Sequence, residues 1–120
     1  MDDRLDKYKL DGRWSIYSVK SNTRASDARN GRDNDMDLDF VKEIMSKSCH
    51  YCRRFSSRRT IDRIDNFIGH IKTNVVPSCL RCNLVRGAMP YEAWMVVAEG
   101  IREADSLGLF NGWEGQTYEG

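Results

Sequence analysis

Two cysteine pairs, Cys49-x-x-Cys52 and Cys79-x-x-Cys82, constrain the fold of this chain more than any other feature. Two such pairs are typical of a tetrahedral zinc site, in which four thiolates at about 2.3 Å complete the coordination shell. The alternatives are disulfides, in three possible pairings, or four free thiols. The polar N-terminus carries no secretory signal, so we expect a reducing cytosolic setting, and that setting favours zinc.

The interval between the pairs, residues 53–78, is longer than the spacer of a simple zinc ribbon and must itself fold. Residues 59–66 have the sequence RTIDRIDN, which predicts a short strand. A bend over 66–74 should lead into a β-prone segment that Pro77 stops, followed by a helix over about 80–87. Zinc would therefore bracket a β-hairpin and a helix, and would supply stability that a small apolar core cannot.

Length and charge narrow the possible functions. The chain has 120 residues, which is enough for one domain. No apolar run approaches the roughly 18 residues of a membrane-spanning helix, so we expect no membrane partner. The overall net charge of +1 conceals a basic segment, because residues 44–90 carry nine Lys and Arg against two acids. A local excess of positive charge suits a polyanion such as nucleic acid. The alternative is a solvated arginine-rich loop.

The order CHYC, then TIDRIDN, then NVVPSCLRCN resembles the HNH nucleases of phages and mobile elements. The resemblance covers about residues 36–100 and implies an α+β protein: a small zinc-stapled ββα-metal core with flanking helices. In that family one divalent ion bridges the scissile phosphate and stabilises the leaving oxygen. The resemblance implies that Asp62 on the first strand and Asn83 on the helix hold this ion, Mg²⁺ or Mn²⁺. It also implies that Asn74 orients the loop. Carboxylate and amide oxygens are suitable ligands for Mg²⁺.

The sequence departs from the family at Arg63, where the family has a water-activating histidine directly after the aspartate. Arginine stays protonated and cannot act as an ordinary general base. Three replacements are open. His70 has an unperturbed pKa suited to proton transfer, and we favour it slightly over a bystander role. Asp65 could orient a metal-bound water. The metal alone could activate the water while Arg63 stabilises the developing charge.

Arginines flank the expected metal site, and arginine forks suit phosphate oxygens. We predict that the contacts with the DNA backbone come from Arg53, Arg54, Arg58 and Arg59.

The flanking segments predict helices. We expect one within residues 13–30 and an amphipathic one over 36–47 with Asp35 or Asp37 as its cap. A third should run from Pro90 to about Gly108, with Trp94 in the core. We divide the chain into a basic, helical N-terminal arm (1–35), the HNH-like domain (36–108) and a loose tail (109–120).

These patterns predict an endonuclease that nicks or cuts double-stranded DNA with one catalytic divalent ion and one structural zinc. We expect it to work in the cytoplasm of a bacterial or phage-infected cell. The alternative is the same fold without catalysis, a zinc-stapled nucleic-acid-binding adaptor, which the Arg63 departure keeps open. A zinc-dependent protein-interaction domain is a third reading, against which the basic segment argues.

Overall fold

The computed structural model describes residues 12–115. Its helices are α1 (Ile16–Arg29), α2 (Leu38–Met45), α3 (Leu80–Arg86) and α4 (Tyr91–Ser106), and its strands are β1 (Arg59–Arg63) and β2 (Val75–Cys79). The two strands form one antiparallel sheet. Helices flanking a two-stranded sheet confirm the predicted α+β class. Within residues 12–115, no helix has both the length and the apolar character needed to cross a bilayer.

Helices α1 and α2 begin at side-chain caps and pack against each other. The Ser15 hydroxyl accepts from the Ser18 amide at 3.1 Å, and the Asp37 carboxylate accepts from the Phe40 amide at 2.8 Å, which confirms one of the two predicted caps. The apolar stripe of α2 faces one half of the core together with β1, β2 and Val19 of α1. This half contains Val19, Met36, Val41, Ile44, Met45, Ile61 and Val75.

The sheet continues past Pro77, although the sequence predicts that this proline ends the second strand. Pro77 lies opposite Ile61 in the register. The Ile64 amide donates to the Asn74 carbonyl, and the Leu80 amide donates to the Arg58 carbonyl, so hydrogen-bonded pairs stand at both ends of the ladder. Because such pairs alternate along an antiparallel ladder, Pro77 falls at a position whose missing N–H would point away from β1. The strand therefore reaches Cys79.

The other half of the core surrounds the cysteines. It joins the cysteine-bearing turns to α4 through Tyr51, Trp94, Ala98 and Ile101, and Trp94 is fully buried as predicted. Helix α3 begins directly at the second cysteine pair, with Cys79 as its cap, and ends at Gly87, whose φ of 54° suits a residue without a side chain.

The segment after α4 folds back on α3, although the sequence predicted a loose tail from residue 109. The Arg81 guanidinium lies 4.7 Å from the centroid of the Phe110 ring. A Cβ atom on Gly115 would lie 2.5 Å from the Arg81 Cα, so this backbone approaches α3 closely. The predicted arm residues 1–11 and tail residues 116–120 lie outside the described part of the chain.

Candidate active site

The four cysteine sulfurs converge in one buried cluster. Their Sγ atoms all lie within 4.8 Å of one another, and those of Cys52 and Cys79 are 3.7 Å apart. A tetrahedron with metal–sulfur distances of about 2.3 Å has sulfur–sulfur edges of about 3.8 Å, whereas a disulfide would need about 2.05 Å. The cysteines are free thiols in this geometry. This donor set fits a metal such as zinc, which would be held by Cys49, Cys52, Cys79 and Cys82.

Backbone amides and neighbouring thiols already orient the sulfurs. The amides of Tyr51 and Cys52 donate to the Cys49 sulfur at 3.4 and 3.5 Å, and the Cys82 amide donates to the Cys79 sulfur at 3.4 Å. Donation from the Cys52, Cys79 and Cys82 thiols lowers the pKa of Cys49 well below its ordinary value. The pKa of Cys82 is raised, first by its hydrogen bond with Cys49. Repulsion between neighbouring thiolates keeps the remaining cysteine thiols protonated. A bound cation would offset this repulsion and favour four thiolates.

Asp62 lies inside the protein at the centre of a hydrogen-bonded network. Its side chain is 10% exposed, and its Oδ2 atom accepts from the Tyr51 hydroxyl at 2.5 Å and from Arg86 Nη1 at 2.7 Å. Burial and then the Asp62 carboxylate raise the pKa of Tyr51, so its hydroxyl keeps its proton and acts as a donor. Within residues 12–115, the hydrogen bonds and the ion pair of Asp62 all use Oδ2. The other carboxylate oxygen, Oδ1, is therefore available for a ligand.

Helix α3 lies alongside β1, so that two of its residues meet two strand residues. Asn83 Nδ2 donates to the Thr60 hydroxyl at 3.0 Å, and one turn later Arg86 reaches Asp62. Thr60 and Asp62 are two positions apart along β1, so their side chains lie on the same face of the strand. The predicted ligands Asp62 and Asn83 therefore lie on neighbouring positions of the same strand–helix seam.

Asn74 holds the loop between the strands. Its Oδ1 atom accepts from the Asp65 amide at 2.9 Å, and its Nδ2 atom lies 3.1 to 3.3 Å from the carbonyls of Asp65, Ile68 and Gly69. Arg63, which follows Asp62, turns toward this loop and donates to the Asn66 carbonyl at 2.6 Å. Its pKa is lowered by burial and then by the positive charges of Arg32 and Arg86, although the carboxylates of Asp27 and Asp62 oppose this.

His70 is buried behind β1 and not exposed on a loop surface. Its backbone N–H donates to Asp27 Oδ2 at 2.9 Å, and its Nδ1 atom lies 3.0 Å from the same oxygen. The ring also contacts the Ile61 backbone. Burial first, and the charge of Arg63 in addition, lower the pKa of His70, although Asp27 opposes this. The ring of His70 therefore makes its contacts inside the protein, with Asp27 and the Ile61 backbone, and not with solvent.

The arginines predicted to contact DNA divide into three kinds. Arg53 is exposed and Arg58 half-buried, and in the described part of the chain neither makes an ion pair. Arg54 pairs with Glu114 at 2.9 Å and with Asp105 at 3.5 Å. Arg59 is 4% exposed and donates to the backbone carbonyls of Ser56 and Met45. Its burial argues against the predicted contact between Arg59 and phosphate.

Sequence reasoning missed Tyr51, Arg86 and Asp27. Arg86 lies three positions after Asn83, and this helical spacing, which places both on one face, was a usable signal. Tyr51 lies within the first cysteine turn and carried no signal of its own. Asp27 lies 43 residues from His70, and only the fold brings them together.

A fourth feature, the pair Arg81–Asp105, was also missed. Arg81 is 1% exposed and donates to both carboxylate oxygens of Asp105, at 2.9 and 2.6 Å. In the sequence, its charge indicates only that it belongs to the basic segment. The pair is bidentate and ties α3 to the end of α4 beside the cysteine cluster.

Comparisons with known proteins support the fold. No family model matches the chain. The uncharacterized protein R423 of Acanthamoeba polyphaga mimivirus is 27% identical over 86 residues, a match that covers 64% of this chain and 16% of that protein. The solved structure of the rare-cutting HNH restriction endonuclease PacI superposes with a TM-score of 0.65 at 17% identity, covering 78% of this chain and 81% of that chain. The predicted resemblance to HNH nucleases is confirmed at the level of the fold.

Proposed function

We propose that this protein is a metal-dependent endonuclease of the HNH type that nicks or cuts double-stranded DNA. The observation that carries the proposal is the seam between α3 and β1, in which Asn83 meets Thr60 and Arg86 meets Asp62. The cysteine cluster fixes this seam because Cys79 caps α3 and Cys82 lies within it. The same fold in the endonuclease PacI supports the proposal.

In this proposal Asp62 and Asn83 hold the catalytic ion, Mg²⁺ or Mn²⁺, through the oxygens that the network leaves open. Asp62 would use Oδ1, because Oδ2 is engaged by Tyr51 and Arg86. Asn83 would use its carbonyl oxygen, because its amide nitrogen is held by Thr60. Such an ion polarises a phosphate and lowers the pKa of a bound water. Zinc in the cysteine cluster has a structural role.

Neither of the two side chains predicted as alternatives to the usual histidine is well placed to activate water. His70 is poorly suited, because its ring is buried between Asp27 and the Ile61 backbone. Asp65 is exposed, but one of its oxygens accepts from the Phe67 amide at 2.9 Å. We therefore favour activation by the ion itself. Arg63, which interacts electrostatically with Asp62, would stabilise negative charge on the phosphate.

DNA would be held mainly by charge and without hydrogen bonds that read base edges. Arg53 and Arg58 line one surface groove beside the first cysteine turn. Arg53 also lines a second groove, along β2, with Lys47 and Lys72. Binding of this kind is independent of sequence and weakens as salt rises.

The test is cleavage of supercoiled plasmid by the zinc-loaded protein with and without Mg²⁺ or Mn²⁺. Omitting the ion is a better control than a chelator, which can also remove structural zinc. Asp62→Asn keeps an oxygen for Arg86 while removing the ligand charge, so it should reduce cleavage at least ~10²-fold. Because the variant also removes one charge of the buried Asp62–Arg86 pair, thermal unfolding and zinc content are measured on it to establish that it is folded under the assay conditions. Glu99→Gln removes an exposed carboxylate on α4 and serves as the matched control, with unchanged cleavage. Full cleavage by Asp62→Asn would refute the assignment of this site.

The adaptor remains the second candidate, because Arg63 replaces the usual base and Asp62 is already paired with Arg86. Wild-type protein that binds DNA without cutting it in either ion, together with an Arg63→His variant that cuts, would establish the adaptor.

A further inference from the structure

The loop between β1 and β2 carries an exposed aromatic ring at its tip. Phe67 is 90% exposed, the highest value among the large apolar side chains of residues 12–115. Its neighbour Ile68 is 43% exposed. Exposing a phenylalanine to water is unfavourable by the free energy that its burial would release, about 1.5–3 kcal/mol. Binding of a partner that covers this ring would therefore be favourable.

The loop that presents Phe67 is held rigidly from within. Asn74 binds the carbonyls of Asp65, Ile68 and Gly69, on both sides of the ring. The Asp65 carboxylate accepts from the Phe67 amide itself at 2.9 Å and closes a turn there. Little conformational entropy therefore remains to be lost when the ring meets a partner.

The same loop is tied to the candidate active site. Arg63, adjacent to Asp62, donates to the carbonyls of Asn66 at 2.6 Å and Ile68 at 3.3 Å. Asn66 in turn donates to the Ala88 carbonyl just after α3 at 3.1 Å. Both neighbours of Phe67 in the sequence, Asn66 and Ile68, thus bind Arg63, the residue that follows Asp62.

The surroundings of the ring distinguish a nucleic acid from a protein as its partner. A protein-docking patch presents a contiguous apolar area of several hundred Å². Here the tip exposes two large apolar side chains, Phe67 and Ile68. The groove at its foot combines apolar residues with two arginines and two acids: Ile64, Ala88, Pro90, Tyr91, Arg32, Arg63, Asp65 and Glu92. A single rigid ring beside arginine side chains matches the combination of stacking and phosphate contact that nucleic acids use.

We propose that Phe67 stacks on a DNA base near the cleaved phosphate, acting as a wedge that unstacks the duplex beside the active site. The inference rests on the proposed nuclease function and adds the contact that would distort the substrate. Stacking is tolerant of sequence, because every base offers a π-face.

The experiment compares Phe67→Ala, Phe67→Trp and the control Val96→Ala, which trims another exposed apolar side chain on α4 (Val96 is 71% exposed). Each variant is made in the full chain with Asp62→Asn, so that DNA is bound without being cut. The probes are short duplexes that span the cleavage position mapped on plasmid with wild-type protein. They carry 2-aminopurine at successive positions around that phosphate. Dissociation constants are measured at several salt concentrations, and thermal unfolding checks the fold.

We expect Phe67→Ala to raise the dissociation constant about 5- to 150-fold and to abolish the increase in 2-aminopurine fluorescence that reports unstacking. The salt dependence should not change, because no phosphate contact is lost. Phe67→Trp should retain both signals, and Val96→Ala should behave as the parent. All variants should unfold at the parent temperature.

Two results would overturn the inference alone. One is an unchanged affinity and fluorescence response for Phe67→Ala while wild-type protein binds and cleaves DNA. The other is a dimer that Phe67→Ala converts to monomer with DNA affinity intact, which would assign the ring to self-association. Wild-type protein that neither binds nor cleaves DNA would overturn the nuclease proposal and this inference together.

Discussion

Replacing Arg86 with methionine should destabilise this protein more than almost any other change outside the cysteines. The side chain is fully buried, and its guanidinium donates to five acceptors: Asp62 Oδ2, the Tyr51 hydroxyl and the carbonyls of Arg63, Ile64 and Met89. Methionine fills similar volume but donates nothing. The buried Asp62 carboxylate would then keep only Tyr51 as a donor.

The magnitude follows from removing one partner of a buried ion pair, which costs about 3–5 kcal/mol. At roughly 2.1 cal/mol/K of unfolding entropy per residue, that loss lowers Tm by about 12–20 °C for a chain of this length. Replacing both partners, in Arg86→Met with Asp62→Leu, removes the stranded charge. The double variant should therefore be more stable than Arg86→Met alone.

The assay is denaturant and thermal unfolding at fixed protein and zinc concentrations, because bound metal shifts apparent stability. Asp105→Asn, at the other arginine pair, is a useful comparison because Asp105 is partly exposed and its loss should cost less than that of Arg86. A loss below about 1 kcal/mol for Arg86→Met, or a double variant less stable than the single, would refute the reasoning.

Three further predictions test other parts of the structure. Cys82→Ser should reduce zinc from about one ion per chain and unfold the hairpin, measured by metal content and near-UV circular dichroism, and a metal-free protein with an unchanged spectrum would contradict this. Arg53→Ala combined with Arg58→Ala should lower the slope of log affinity against log salt by about two, measured by fluorescence anisotropy, with zinc content unchanged. Burial lowers the pKa of His70 in the folded state. Burial raises the pKa of Asp27, but hydrogen bonds from His70 outweigh this effect, so the folded-state pKa of Asp27 is also lowered. As pH falls, each group therefore binds its proton more readily in the unfolded state than in the folded state. Stability should fall as pH drops below about 6.5 and again below about 4, and His70→Gln should flatten the first decline in a series of thermal unfolding curves.

The fold was largely predictable because its signals are local. The spacing of the cysteines, the Asp37 cap and the alternation around Ile61 each act within a few residues, and each predicted an element that the structure contains. The end of β2 was mispredicted because Pro77 breaks a ladder only at a hydrogen-bonded position. Its actual position depends on the register with β1, which no local pattern specifies.

The site was only partly predictable because its arginines have long-range roles. The charge of the basic segment suggested a DNA-binding surface, yet Arg59, Arg81 and Arg86 are buried and bind carbonyls or carboxylates of the protein itself. Their partners lie up to 35 residues away in the sequence, as for Tyr51 and Arg86. Charge counted along a chain does not distinguish a side chain that faces a partner from one that supports the core.

The position of Pro77 affects how well the sheet is protected against aggregation. A two-stranded sheet has two open edges, and an unpaired edge can recruit strands from other molecules. On the β2 edge Pro77 offers no donor, and its carbonyl already accepts from the His50 amide of the first cysteine turn at 2.8 Å. On the β1 edge the Ile61 backbone is covered by the His70 ring. The cysteine turn therefore shields an edge as well as binding metal. Loss of zinc should consequently lead to intermolecular strand pairing and aggregation, which solubility measurements on the metal-free protein would detect.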